Sequence, residues 1–413
     1  DELMTLVQRQ TFRYFWDFAH TASGLAHERS NGGAETATIG GSGFGVMAII
    51  VGIERGFVSR EQGAERILKI VRFLGSKTTN SYHGMWPHWM NGETGATIPF
   101  SRQDDGADIV ESSYMFEGLL AARQYFTQDN ATERAIRSQI TRLWKAADWN
   151  FFTKEGEEVL YWHWSPNNGW AMNHPIRGYN ECLITYVLAA ASPTHPIAPS
   201  VYHRGWASSS VFTNNREYYG IKLPLGNDKG MGGPLFFEQY TYMGLDPRGL
   251  KDRYADYEEQ TRNHTLINRA YCLANPKSYK GYGEQCWGLT ASDGDTGYSA
   301  HSPGNDKGVI SPTAALSSMP YTPEYSLQVM RYFYEELGDH LWGEYGFKDA
   351  FNLTKGWYAS SYLAIDQGPI VVMIENYRTG LLWKLFMSDP DVQAGLRRLG
   401  FTSPHLTTEA TNE

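Results

Sequence analysis

Helical periodicity runs through most of the chain, and strand patterns are few and short. Apolar side chains recur at helical spacing in about a dozen segments. Ser59 is a suitable N-cap for one of these segments, and a hairpin is predicted around the Asn91-Gly92 turn. The pattern predicts an all-α fold with long helices at 2–20, 43–56, 59–73, 108–127, 131–147, 177–191, 254–273, 323–338 and 368–387, and shorter ones near 198–208, 231–243, 312–319 and 390–399.

Long loops separate the predicted helices, and loops of this length inside a compact domain usually carry function. The alternation of helices with long, aromatic loops predicts an α-helical toroid, a barrel of helix pairs with a groove where the loops gather. We expect a single domain over residues 1–413, because no Pro- or Ser-rich linker and no charge run divides the chain. The absence of a fixed-period repeat argues against a solenoid. The loops lie at 20–41, 78–107, 150–178, 209–232, 275–311 and 339–367.

Aromatic residues are unusually common, with 13 Trp, 26 Tyr and 19 Phe among 413 residues. Flat rings stack on the C–H faces of sugars, although large rings also fill protein cores. Many of the tryptophans lie in Gly-, Pro- and Asn-rich stretches rather than in periodic helices, which favours a sugar-binding cleft. The net charge of −9 disfavours nucleic acid and favours a neutral substrate. No apolar run approaches the roughly 20 residues of a membrane span.

Motifs for cofactor and metal chemistry are missing from the sequence. The three cysteines, Cys182, Cys272 and Cys286, have no metal-ligand spacing and allow at most one disulfide. There is no GxSxG, P-loop or HExxH motif. Asp293 and Asp295 resemble a fragment of a calcium loop that lacks its closing Glu, so a sugar-contacting loop is favoured there. We therefore expect no cofactor and no metal, and carboxylates become the candidate catalytic groups.

A cluster of acidic residues begins the predicted helix 108–127. Asp104, Asp108 and Glu111 are spaced i, i+4 and i+7, which places three carboxylates on one helix face. The helix dipole favours acids at an N-terminus, so a purely structural role for Asp104 and Asp105 is an open alternative. Glu111 shares the helix with apolar residues that point inward, and a buried carboxylate needs a partner or a function.

Glu181 follows a tryptophan-rich loop at 162–170 and precedes an almost wholly apolar run within the predicted helix 177–191. Burial there would raise the pKa of its carboxyl group. A carboxyl group that is protonated at neutral pH is what a general acid requires. The alternative is an internal Arg177–Glu181 pair at i, i+4 spacing.

The last long helical pattern, 368–387, also carries charged residues. Pro369 fits the first turn of a helix, and Asp366 is a candidate N-cap before it. Glu375 and Arg378 lie one turn apart among apolar residues, and buried charges must be paired. A buried Glu375–Arg378 pair is at least as good an interpretation as a role in the site.

Several short motifs stand out along the chain. They are YFWD at 14–17, GLA at 24–26, GFG at 43–45, IERGFVSR at 53–60, His88 with ETG at 93–95, EQCWGLTASD at 284–293 and DQGPIVVMIENYR at 366–378. Together these motifs resemble the glycoamylase-like group that contains glycoside hydrolase family 144, the β-1,2-glucanases of Bacteroidetes-type bacteria. The similarity runs over nearly the whole chain, and the last motif is the most specific.

The resemblance implies an (α/α)6 toroid that hydrolyses β-1,2-glucan, with inversion, to sophorose and short oligosaccharides. It also implies export to the periplasm or cell surface, with the signal segment removed from this chain. We expect a monomer. The family's acid cluster corresponds to Asp104, Asp108 and Glu111, and its acid at the loop-to-helix junction corresponds to Glu181. An older family label, glucoamylase, would imply an α-glucan substrate instead.

The resulting hypothesis is a hydrolase with two catalytic carboxylates. Glu181 protonates the leaving glycosidic oxygen, and one carboxylate of the 104–111 cluster activates water on the opposite face of the sugar. Inverting enzymes keep these groups roughly 6.5–9.5 Å apart. The expected substrate-binding residues are Trp86, Trp89, Trp164, Trp170, Trp287 and Tyr298 as stacking walls, His88, Arg177 and Tyr179 as hydrogen-bonding groups, and Asp366 and Glu375 as further polar contacts.

Two other classes of function stay open at this point. A polysaccharide lyase on a similar toroid would draw its base, acid and uronate-neutralising cation from His163, His174, Tyr179 and Arg177. The acid cluster and the negative net charge argue against its polyanionic substrate. A non-catalytic glycan-binding protein is the other alternative, and binding without product release would identify it.

Overall fold

Helices form most of the regular structure in the computed structural model, which describes residues 1–407. This confirms the all-α prediction. The helices are α1 (Glu2–Trp16), α2 (Ile39–Glu54), α3 (Arg60–Leu74), α4 (Ile109–Tyr125), α5 (Ala131–Ala146), α6 (Leu183–Ala191), α7 (Tyr257–Ala274), α8 (Pro312–Leu316), α9 (Pro323–Glu335), α10 (Gly338–Leu341), α11 (Ala364–Arg378), α12 (Leu381–Met387) and α13 (Pro390–Arg398).

The strands are two or three residues long and pair antiparallel within the loops. One three-stranded sheet has the order β1-β2-β3, and the other strands form two-stranded ladders. The predicted hairpin around Asn91 is confirmed as β2 and β3. The strands are β1 (Thr36–Thr38), β2 (Trp89–Asn91), β3 (Thr97–Ile98), β4 (Ala107–Asp108), β5 (His163–Trp164), β6 (Arg216–Tyr218), β7 (Ile221–Leu223), β8 (Ala291–Ser292), β9 (Ser299–Ala300), β10 (Trp342–Gly343), β11 (Gly346–Phe347), β12 (Phe351–Asn352) and β13 (Trp357–Tyr358).

Helix α2 is apolar on all sides and lies in the middle of the larger core, packed against α1, α4 and α11. Its glycines let α4 approach closely. A Cβ atom on Gly43 would lie 2.5 Å from the Cα atom of Met115, and a Cβ atom on Gly118 would overlap the carbonyl oxygen of Gly43. Real side chains cannot come that near, so glycine at these positions sets the spacing between α2 and α4.

A buried ion pair joins helices from opposite parts of the sequence. Arg55, the residue that ends α2, donates hydrogen bonds of 2.7 and 2.8 Å to the carboxylate of Glu375 on α11. Gln8 of α1 donates to the same carboxylate at 3.2 Å. The predicted pairing of Glu375 with Arg378 is therefore wrong. Arg378 faces α1 instead and donates hydrogen bonds to Thr5 and Gln8.

Several helix boundaries differ from the sequence-based prediction. The predicted helix 177–191 begins only at Leu183, because Gly178 has a positive φ of 79° and the chain is still a loop there. The long pattern 368–387 is broken at Gly380, whose φ is 70°, into α11 and α12. Ser59 caps α3 in a reciprocal capping box with Gln62, as predicted.

Two of the shorter predicted helices take other forms. The segment predicted near 198–208 is one π-helical stretch, Val201–Trp206, and the segment 231–243 contains 3-10 turns at Leu235–Glu238 and Thr241–Met243. Within residues 1–407, no helix combines the length and the apolar character needed to cross a membrane.

Candidate active site

A cavity of about 380 Å³ opens where the N-terminal ends of several helices meet. Thr38, the N-cap of α2, lines it, and so do Glu111 in the first turn of α4 and Leu363, the N-cap of α11. Glu181, two residues before α6, lies in the same wall. Helix N-termini carry partial positive charge, so they favour carboxylates and electron-rich oxygen atoms at this place.

Asp108 is the N-cap of α4 and is only 1% exposed. Its Oδ1 atom accepts hydrogen bonds from the backbone N–H groups of Val110 and Glu111 and from Nε1 of Trp162. Burial alone would raise the pKa of Asp108, but its contact with His88 and the helix N–H groups lower that pKa below its ordinary value. Asp108 is therefore an ionised carboxylate that the helix start holds in a fixed orientation.

His88 lies between two carboxylates of the cluster. Its Nδ1 atom is 3.3 Å from Asp108 Oδ2, and its Nε2 atom is 3.5 Å from Glu111 Oε1. Burial works against the charged imidazole, but Glu111 and Asp108 together raise the pKa of His88 to about 9. At neutral pH the ring is therefore a cation that joins the two acids.

Glu111 and Asp104 complete the cluster. Glu111 accepts a 2.8 Å hydrogen bond from the backbone N–H of Gly40 in the first turn of α2. Burial raises its pKa, while His88 acts in the opposite direction. Burial raises the pKa of Asp104 to about 7, and the nearby charge of Asp108 adds to this effect. The structure thus brings together the three acids that the sequence grouped, and of the three only Glu111 is in the cavity lining.

Glu181 lies in the loop before α6, and its backbone is fixed by neighbouring elements. Its carbonyl oxygen accepts hydrogen bonds from the hydroxyl groups of Tyr114 and Thr241. Burial raises the pKa of its carboxyl group to about 7, and the charges of Glu111 and Asp108 act in the same direction. Arg177 does not pair with it through helical spacing, because that stretch is a loop and the guanidinium group donates to the carbonyl of Gly205.

A second polar network, which the sequence did not predict, borders the cavity on the side of α11. Arg29 forms a bidentate ion pair with Asp293 and also contacts Glu28, and both Glu28 and Arg29 line the cavity. Asp293 in turn accepts from Ser361, and its own N–H donates to Asp349.

Asp366 belongs to this network and does not cap α11, because it lies inside the first turn and not before it. It shares a hydrogen bond with Asp349, and burial together with the neighbouring carboxylates raises the pKa of Asp366 well above its ordinary value. A carboxyl pair of this kind holds a proton between its two members.

The other predicted binding residues divide into two groups. Trp89, His88 and Tyr298 line the cavity. The rest lie outside its lining: Trp86 is buried and donates to Leu74, Trp164 and Trp170 pack against Phe151, Tyr179 bonds to Tyr242, Trp287 lies in the second core cluster, Arg177 reaches Gly205, Asp366 contacts Asp349, and Glu375 pairs with Arg55.

Sequence reasoning missed several lining residues because they come from positions far apart in the chain. Phe100 stacks on His88 with ring centroids 4.2 Å apart, and Trp162 is fixed by Asp108. Their aromatic character in loops was a usable signal. Tyr114, Phe236 and Tyr240 carry no such signal, since in sequence they are like any core aromatic residue.

Comparisons with known proteins agree with one another. A family model described as "Putative glucoamylase" matches residues 173–390. A curated relative, the exo β-1,2-glucooligosaccharide sophorohydrolase (non-reducing end) of Parabacteroides distasonis, is 46% identical over 97% of this chain. The chain spans 58% of that relative's length.

Solved structures with higher sequence identity carry related descriptions, glucoamylase and β-1,2-glucanase. A protein of Bacteroides uniformis described as a putative glucoamylase is 80% identical, with a TM-score of 0.98 and 98% of each chain covered. The endo-β-1,2-glucanase of Chitinophaga pinensis, solved with sophorotriose and glucose, is 57% identical with a TM-score of 0.96, covering 98% of this chain and 99% of that one.

Proposed function

We propose that the chain, which belongs to the family described as putative glucoamylases, is a glycoside hydrolase that cleaves β-1,2-glucan. Two proteins similar to it over nearly its whole length are named as β-1,2-glucan hydrolases. The observation that carries this proposal is the pair of glutamates, the buried Glu111 and the half-buried Glu181, in the wall of one cavity. Glycoside hydrolysis needs two carboxyl groups, one protonated and one able to activate water.

Glu181 is the proposed general acid. Burial raises its pKa to about 7, so a substantial fraction of the carboxyl groups holds a proton at neutral pH. That proton passes to the glycosidic oxygen as the bond to the anomeric carbon breaks, which neutralises the leaving alkoxide. The fixed backbone carbonyl of Glu181 supports this role because it limits the positions that the carboxyl group can reach.

The base belongs to the Asp104, Asp108 and Glu111 cluster, and Glu111 is the member we assign to the water molecule because it lines the cavity. The N–H of Gly40 and the cationic ring of His88 both stabilise its charged form. Water activated there would attack the anomeric carbon from the face opposite Glu181, and the product would have inverted configuration.

The aromatic lining fits the apolar faces of glucose rings. Trp89 and Phe100 lie together, with ring centroids 4.8 Å apart, and Tyr298 lies in the lining with 55% of its surface exposed. Polar contacts to hydroxyl groups would come from Glu28 and Arg29, which the Asp293 ion pair holds in place. We propose these residues as the substrate-binding set, together with His88.

We also propose that residues 1–413 form one (α/α)6 domain. Supporting this, α1 packs against α11 from the far end of the sequence, as closure of a ring of helices requires. Export to the periplasm or cell surface, which rests on the family resemblance, and a monomeric state belong to the same proposal.

The test is incubation of the purified protein with a panel of β-1,2-, β-1,3-, β-1,4- and α-1,4-glucans and a uronate polymer, with product size and anomeric configuration followed by NMR and unsaturated products by near-ultraviolet absorbance. We expect products from β-1,2-glucan alone, released as the α-anomer. Release of glucose from the α-glucan would support the glucoamylase label instead. Products with near-ultraviolet absorbance from a uronate polymer would support a lyase, and binding without products would support a glycan-binding protein.

A further inference from the structure

One carboxylate oxygen of the acid cluster has no hydrogen-bond partner although it is buried. Asp108 Oδ2 is closed off from solvent, and no donor is aligned with it. The other oxygen of the same group, Oδ1, accepts from two helix N–H groups and from Trp162, so the carboxylate cannot turn to exchange its two oxygens without losing those bonds. The nearest donor, His88 Nδ1 at 3.3 Å, is not aligned with Oδ2 for a hydrogen bond, so this oxygen keeps a lone pair for a further ligand.

Two imidazole rings and a second carboxylate surround this oxygen. His88 Nδ1 is 3.3 Å from Asp108 Oδ2, and His163 Nε2 is 3.9 Å from it. His163 Nε2 is also 3.5 Å from Asp104 Oδ2. One ligand atom from each of His88, Asp104 and Asp108 lies within 4.8 Å of the other two. Ligand atoms at metal distances of 2.0–2.1 Å in a tetrahedron are about 3.3 Å apart, so His88, Asp104 and Asp108 would have to close in on one another by up to about 1.5 Å to reach that geometry.

The contacts that orient His88 and Asp108 also resemble those around a bound metal. A histidine that binds a metal through one nitrogen usually directs the other towards a carboxylate. His88 does this, because its Nε2 atom is 3.5 Å from Glu111 Oε1. Hydrogen bonds from Trp162 and from the first N–H groups of α4 likewise fix the orientation of Asp108.

We propose that His88, His163, Asp104 and Asp108 bind one divalent transition-metal cation of the Zn²⁺ type, which displaces the proton from Nδ1 of His88. Two imidazole nitrogens and two carboxylate oxygens suit Zn²⁺ and its neighbours, whereas Ca²⁺ and Mg²⁺ prefer sites made of oxygen atoms alone. The bound cation inhibits the enzyme, because its positive charge beside His88 stabilises the Glu111 carboxylate and makes it a weaker base towards water. The inhibition rests on the proposed function, while the binding rests on geometry alone.

Calorimetric titration of the chelator-treated protein with ZnCl₂ tests the binding. We expect one Zn²⁺ per chain, at least about tenfold weaker binding to His163→Gln, and little response to MgCl₂ or CaCl₂. His174→Ala is the matched control, because His174 stacks on Trp162 next to His163 but belongs to no part of the site. Its affinity should equal that of the wild type.

Asp104→Asn provides a second, nearly isosteric variant if His163→Gln fails to fold, which circular dichroism would reveal. Stoichiometric binding that neither variant weakens would overturn the proposed site, and so would the absence of stoichiometric binding.

A hydrolysis assay with and without ZnCl₂ tests the inhibition. Each protein is compared with its own metal-free rate, and EDTA should restore the rate of the wild type. Loss of inhibition in His163→Gln supports the inference. Tight binding in a protein that hydrolyses no glucan would support the site and overturn the proposed function. Hydrolysis that is insensitive to saturating Zn²⁺ would overturn the inhibition.

Discussion

Glu181 is held in the cavity wall through its backbone carbonyl, and substitution of its carboxyl group should leave that anchor intact. We expect Glu181→Gln to lower kcat by about 10²- to 10⁴-fold, the usual contribution of a general acid. Steady-state hydrolysis of β-1,2-glucan, with circular dichroism to verify folding, measures the effect. Glu284→Gln, in an exposed loop, is the control. Wild-type turnover in Glu181→Gln would contradict the assignment.

The pH dependence of activity also follows from this residue. Burial raises the pKa of Glu181 to about 7, and the protonated form is the active one. We therefore expect kcat/KM to fall as pH rises through neutrality and the acid loses its proton. A pH profile of initial rates checks this. A descending limb near the ordinary glutamate pKa of about 4.3 would show that the carboxyl group is not perturbed as described.

At the level of elements, the contact between α2 and α4 positions Glu111. Gly40 donates its N–H to Glu111, and a Cβ atom on Gly40 would lie 2.9 Å from the carboxyl carbon of that residue. We expect Gly40→Ala to displace the carboxylate and lower kcat at least about tenfold, because small displacements of catalytic groups are expensive. Kinetics on β-1,2-glucan would measure the loss.

The control for this variant is Gly283→Ala, since an added Cβ atom there meets nothing within 4 Å. It should leave kcat unchanged. Full activity of Gly40→Ala would mean that Glu111 tolerates displacement and is not the residue that activates water.

Elements determined by local sequence were the ones that could be predicted. The capping box at Ser59 is such a case, because its two partners are three residues apart. The start of α6 could not be predicted, since the periodic pattern continues back through Gly178 and only the backbone shows the turn there. The partner of Glu375 was missed because Arg55 lies 320 residues away in sequence.

In the candidate site, too, the features determined by local sequence were the ones that could be predicted. Asp104, Asp108 and Glu111 were found because they are close in sequence, but they do not share a helix face as predicted: Asp108 is the N-cap of α4 and Asp104 lies in the loop before β4. The Arg29–Asp293 pair was not found because its members are 264 residues apart and Arg29 lies in none of the recognised motifs. The tryptophans were overestimated as sugar contacts, since Trp86 and Trp287 are buried in the core and position in a loop does not report side-chain direction.

For the whole molecule, the Arg55–Glu375 pair fastens α2 to α11, with Gln8 of α1 bonded to the same carboxylate. We expect Arg55→Met to lower the free energy of unfolding by about 3 kcal/mol, because it leaves a buried carboxylate without its cation. Urea unfolding measures this. Arg204→Met removes the exposed partner of Glu158 and should cost less than about 1 kcal/mol. Equal effects would contradict the argument.

The contribution of the Arg55–Glu375 ion pair to the free energy of unfolding also depends on pH. Burial would raise the pKa of Glu375, but Arg55 and Thr379 lower it below its ordinary value. The ion pair therefore adds stability above the unfolded glutamate pKa of about 4.3, and this stability is lost as pH falls through the lowered value. Urea unfolding at several pH values should show the difference between wild type and Arg55→Met narrowing in acid. A difference that stays constant would exclude this carboxylate as its source.

The contact between α1 and α11 has a consequence for the order of events during synthesis. Gln8 donates a hydrogen bond to the carbonyl of Val371, 363 residues later. At translation rates of 5–20 residues per second, α1 waits about 20 to 70 seconds before its partner exists. Throughout that interval α1 and the mainly apolar α2 lack one of the surfaces that bury them in the finished protein. A nascent chain of this kind exposes binding sites for chaperones near its beginning, and they disappear only when α11 has emerged.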